Sequence, residues 1–159
     1  MNGNPALTPE LGEALTMAFG DMYLRKRSFD TAAKFYKSLL SKKPGDPDLI
    51  LKIVYTRVGA SDLVTAQQYA SRLTPFDSKN PYDDHASYYF AKAAIAQATG
   101  NAQIADDAIQ AARTNYGIAI TNRYLKTYLE LFASSGKNAD ITPPSLPKSA
   151  PTDDKPATP

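Results

Sequence analysis

The one histidine, His85, follows two carboxylates, Asp83 and Asp84. An imidazole with two carboxylates is a donor set that a divalent metal ion can accept. Three consecutive residues at a helix start project in different directions, however, and the acids there suit the positive end of a helix dipole instead. A second pair, Asp106 and Asp107, is adjacent in the chain. Neighbours on a helix point roughly 100° apart, so this pair is unsuited to acid/base work on one substrate. There is no Gly-rich phosphate loop and no nucleophile motif. Zero cysteines exclude disulfides, thiolate metal sites and a cysteine nucleophile. The chain therefore reads as no enzyme, with no metal, no cofactor and no small-molecule substrate.

The elements that carry these residues are those of one soluble-type domain. The chain has 159 residues, of which 43% are hydrophobic, and its apolar runs are far too short to span a bilayer. Eighteen basic against sixteen acidic residues leave a net charge of +2, too little to call for nucleic acid as an obligatory partner. Arg25, Lys26, Arg27, Lys34, Lys37, Lys42 and Lys43 do gather in one stretch. With Asp30 among them they read as a solvated helix surface rather than a phosphate track. The opening MNGNPALTPE has no charged segment followed by an apolar core and does not read as a signal peptide. The compartment stays undetermined.

Helix starts are marked by a capping residue followed by proline, at Thr8-Pro9, Asp46-Pro47 and Asn80-Pro81. These devices stand 38 and 34 residues apart. Each is followed by an apolar segment, a break at Lys26–Ser28, Gly59–Asp62 or Thr99–Asn101, and a second helical segment. Three helix pairs result, over about 9–44, 47–76 and 81–116. In the first, Gly20 and Tyr23 lie on one helix, Ala32, Tyr36 and Leu39 on the next, and Pro44 closes the unit.

This unit resembles a tetratricopeptide repeat. The resemblance implies an all-α fold, a right-handed α-solenoid of helix hairpins in which Gly20 and Ala32 are the small residues across the contact. The second unit departs from the pattern. Its register is open between Gly59, which points back to Tyr55 and Leu51, and Ala66, which points back to Val54 and Ile53. In the third unit Ala96 stands where the family has an aromatic. Beyond Gly117, Tyr124, Leu125, Tyr128, Leu129 and Phe132 recur with helical period, and a helix over about 121–135 reads as the cap of the last unit. Residues 1–8 and the proline-rich stretch 136–159 have the composition of flexible or disordered chain, and Pro144–Pro147 fits a PxxP ligand.

By resemblance, the first helices of the pairs line a concave groove that holds a peptide or helical segment of a partner protein. The groove residues so implied are Met17, Asp21, Leu24 and Arg25 from the first unit. Leu51, Lys52 and Tyr55 follow from the second, and Phe90, Ala94 and Gln97 from the third. Met17 and Asp21 stand where a carboxylate clamp would have Lys and Asn, so an apolar groove is implied. The expected function is a protein-protein interaction module, an adaptor or scaffold within a multiprotein assembly. Alternatives are a chaperone of the bacterial secretion type holding an unfolded substrate, or an accessory domain of a larger enzyme or envelope complex. Homo-oligomer formation is left open.

Overall fold

A computed structural model describes residues 6–80 and 82–133 of the protein. The stretches expected to be unstructured at the amino terminus (1–5) and in the proline-rich tail lie outside the described residues, as does Pro81. The described residues form six α-helices and no strand, so the fold is all-α.

Helix α1 (Pro9–Arg25) begins where the Thr8 side chain accepts the Leu11 N–H, with proline in the first turn. The same device opens α3 (Pro47–Gly59), where Asp46 Oδ1 accepts the N–H groups of Asp48 and Leu49. Between them lies α2 (Phe29–Lys42). A fourth helix, α4 (Leu63–Ala70), is capped by Asp62, whose carboxylate accepts from Thr65. That bond holds the Asp62 carboxyl below its usual range.

The expected third start differs. Helix α5 runs Ser87–Ala98 and has no side-chain cap at its start. Asn80 is spent in a turn, its N–H donating to the Asp77 carbonyl and its own carbonyl accepting from Asp83. Asp83 in turn accepts the His85 N–H at 3.0 Å. These local bonds compete with a helix and delay its first turn to Ser87.

Three connections share one geometry. Ser28, Asp62 and Asn101 donate their N–H to the carbonyls of Tyr23, Arg57 and Ala96, and the residue before each adopts positive φ: 59° at Arg27, 61° at Ser61 and 78° at Gly100. This is the Schellman pattern that ends a helix and turns the chain back. Arg27, Ser61 and Gly100 stand 34 and 39 residues apart. Counting from these turns fixes the register of the second pair on Ala66, which places Val54 where the first pair has Gly20. Ala32, Ala66 and Ala105 then occupy equivalent places, and all three are fully buried.

The helices alternate in direction. Lys43 at the end of α2 meets Glu13 at the start of α1 at 2.7 Å, and Asp30 at the start of α2 meets Arg57 at the end of α3 at 2.8 Å. Gly20 allows the first contact to close, since a Cβ there would lie 2.6 Å from the Tyr36 ring. Gly59 does the same between pairs, where a Cβ would lie 2.3 Å from the Phe29 ring. Its smallness therefore serves the α2–α3 approach and not the turn.

Helix α6 (Ala102–Tyr128) is broken at Gly117, with φ 82° and ψ 171°, a conformation kept for glycine. Its first arm, 102–116, returns beside α5, so that Asn115 and Tyr116 reach Tyr89. The second arm, 118–128, ends in a π-helical turn, Leu129–Ala133. This arm reverses again and runs along α5 toward its end. It does more than cover the last unit. Tyr124 and Tyr128 pack on Phe90 of α5, Phe132 packs on Tyr55 of α3, and Glu130 pairs with Arg25 of α1 at 3.8 Å.

Candidate interaction surfaces

The ten residues implied as a groove lie on α1, α3 and α5, and the structure divides them. Met17, Asp21, Lys52 and Gln97 are half-buried and Arg25 is exposed. Leu24, Leu51, Tyr55, Phe90 and Ala94 are buried. For Phe90 and Tyr55 the reason is the second arm of α6, whose aromatic rings cover them. Phe90 stacks on Tyr124 with ring centroids 5.4 Å apart, and Tyr55 meets Phe132 edge-on at 5.2 Å. With the arm seated, these five side chains are core.

The polar members of the set are also engaged. Asp21 accepts the Tyr36 hydroxyl at 2.7 Å and is paired with Lys52, whose ammonium lies 5.5 Å from the Tyr36 ring centre. This ties α1, α2 and α3 together at a single carboxylate. Sequence reasoning placed Asp21 and Lys52 in a groove but had no local signal for Tyr36 as their third member.

Where the arm begins, an open cleft of about 360 Å³ remains, lined by Asp48, Leu51, Lys52, Tyr55, Asp84, His85, Arg123, Tyr124 and Thr127. Asp48 is its centre. It accepts the Tyr124 hydroxyl at 2.6 Å and the Ser87 hydroxyl at 2.8 Å, and His85 Nδ1 stands 3.4 Å away. Arg123 lies 3.3 Å from Asp84. These contacts fasten the arm to the starts of α3 and α5.

The metal reading of Asp83, Asp84 and His85 needs one correction. Their donor atoms lie within 4.8 Å of one another, closer than consecutive residues of a helix would bring them, because they precede α5 in a turn. Their carboxylates nevertheless already serve protein donors. Asp83 takes the His85 N–H and the Tyr116 hydroxyl, and Asp84 faces the Arg123 guanidinium. A cation placed there would have to compete with Arg123. The arrangement fits a loop fastening better than a metal centre.

On the other side of α1 a different surface appears. Leu7, Leu11, Leu15 and Phe19 follow at intervals of four and are 62%, 51%, 41% and 47% exposed. That spacing puts Leu11, Leu15 and Phe19 in one row along the helix, with Leu7 just before its cap. Only Phe19 has an aromatic neighbour, stacked on Phe35 at 5.8 Å. Sequence analysis assigned this helix a single apolar side, the one bearing Met17 and Leu24, and missed the second. The signal was available, since Leu7, Leu11, Leu15 and Phe19 keep strict spacing outside the tetratricopeptide pattern.

Burial raises the pKa of five tyrosine hydroxyls, those of Tyr36, Tyr55, Tyr116, Tyr124 and Tyr128. Asp21 adds to this at Tyr36 and Asp48 at Tyr124. Each stays protonated in the fold above the pH, about 10, at which the unfolded chain ionises. Their stabilisation is complete below about pH 10 and is lost as pH rises through that value toward the folded pKa values. An alkaline titration followed by tyrosinate absorbance and circular dichroism should thus show these five rings ionising together with loss of helix. Their ionisation near pH 10 with helix intact contradicts the burial.

Comparison of the chain with protein-family models, curated proteins and solved structures finds no match.

Proposed function

We propose that the protein is an interaction module that binds a helical segment of a partner protein within a multiprotein assembly. In this reading the three hairpins stack as a right-handed solenoid of the tetratricopeptide kind. The shared turn at Arg27, Ser61 and Gly100 and the buried alanines at Ala32, Ala66 and Ala105 support that stacking.

The observation that carries the function is the exposed row on α1. Three large apolar side chains on one helix, with Leu7 just before its cap, are costly to leave in water, and such a row marks a surface meant to be covered. The partner that fits is an amphipathic helix with its own apolar seam at helical spacing. The inner face is served by the chain's own arm, so the outer row is where the partner docks.

A photo-crosslinking side chain at position 15, compared with one at position 64 on α4, tests this in native lysate. Val64 is 70% exposed and is an apolar control outside the row. A partner crosslinked from position 15, absent from position 64 and lost in a Leu11→Glu variant supports the surface. Equal yields from both positions, or no loss with Leu11→Glu, place binding elsewhere.

A further inference from the structure

We infer that the second arm of α6 is an exchangeable element, which opens about Gly117 and docks on the α3–α5 face of a second copy of this chain. Three observations lead there, and none involves the exposed row of α1.

The first is complementarity. The arm offers Tyr124, Tyr128 and Phe132 at intervals of four, one row of rings, and the receiving face offers Phe90 and Tyr55 to them. Polar contacts frame the rings: Arg123 with Asp84, and the Tyr124 hydroxyl with Asp48. These bonds run from the arm to α3, to α5 and to the turn before α5. They can be made equally well by the arm of another copy, which is what element exchange between protomers requires. The arm is also the segment whose fit to this face the structure displays directly, and a second copy carries the same segment.

The second is the hinge. Gly117 alone interrupts α6, and a Cβ at that position would meet nothing within 4 Å. Returning one residue to helical φ and ψ fuses the two arms into a continuous helix. At about 1.5 Å per residue the second arm and its π turn would then project roughly 24 Å away from α5. Its rings and the face that they left would both be bare, and a second copy in the same state covers both.

The third is the seat. The Tyr55 hydroxyl is buried with no hydrogen-bond partner among the described residues. Tyr55 lies directly beneath Phe132. A buried polar group left unpaired costs free energy, so the closed arm is held less firmly than its aromatic area suggests. The π-helical turn at its end is a feature often found at functional positions.

The test uses the full chain and Gly117→Ala. Alanine is strained at φ 82° yet is the best helix former, so it opposes the closed turn and favours the fused helix. Light scattering coupled to size exclusion should show Gly117→Ala moving from monomer to dimer, and the dimer should persist when Leu15→Glu is added. A dimer that dissolves with Leu15→Glu overturns the proposal, because the α1 row would then be the contact. A Gly117→Ala monomer also overturns it, including one that binds a hydrophobic dye and so leaves the face for another occupant.

A second measurement holds if Gly117→Ala does not fold. The chain has no cysteine, so Asp84→Cys and Arg123→Cys chains can be mixed in denaturant, refolded together and joined with a short bis-maleimide. Exchange yields a crosslinked heterodimer of the two variants. Monomers alone overturn the exchange.

Discussion

Ala32→Arg is expected to abolish cooperative unfolding. Ala32 has no exposed surface and belongs to the same buried cluster as Leu24 and Tyr36. An arginine there must either bury a guanidinium without a partner or push α1 away from α2. Breaking into the core with an unpaired charge costs more than about 4 kcal/mol, comparable with the whole stability of a domain, about 5–15 kcal/mol. The control is Ala32→Gly, which adds no volume and no charge and should cost about 1 kcal/mol. A thermal melt by circular dichroism separates them: a sharp transition for Ala32→Gly, a broad featureless loss for Ala32→Arg. A sharp transition in Ala32→Arg near the wild-type temperature contradicts the α1–α2 contact.

That contact was legible in the chain because its determinants are local. Gly20, Ala32 and Tyr36 lie within one unit, and Thr8-Pro9 marks the start of the helix that holds Gly20. The second unit was hard to read for a definite reason. By the turn register, the positions of Gly20 and Tyr36 hold Val54 and Ala70, so the large residue has changed sides of the contact. Gly59 added confusion, being small on account of Phe29 on another helix. The turn itself sits at Ser61, and neither Ser61 nor Arg27 has the glycine that positive φ normally announces.

The residues implied as a groove include five that are buried in the structure, Leu24, Leu51, Tyr55, Phe90 and Ala94. Nothing in the periodicity of 121–132 says where its rings will lie. The bonds that seat the arm join residues 76 and 104 positions apart, Tyr124 with Asp48 and Leu131 with Arg27. Contacts of that separation leave no mark in a local pattern. Gly117 was visible as a boundary but not as a reversal, because an exposed glycine between two polar helical stretches fits a loop equally well. The outer row of α1 was lost for the opposite reason. The repeat pattern accounts for one side of a helix, and attention to it hides a second.

Phe90→Ala should destabilise the protein by about 3–5 kcal/mol, the usual range for emptying a fully buried phenylalanine site. The loss will be uneven, and that is its value. Phe90 is held between α5 and the rings of Tyr124 and Tyr128, so the cavity opens beneath the second arm. Hydrogen exchange should show residues 118–128 losing protection first, while the α1–α2 pair keeps its own until global unfolding. Phe90→Leu retains most of the volume and should cost less than half as much. If exchange in the arm and in α1 accelerates equally, the arm is an integral layer of the core. If the arm alone loosens, its attachment is a separable interaction, which is the property that exchange between two copies requires.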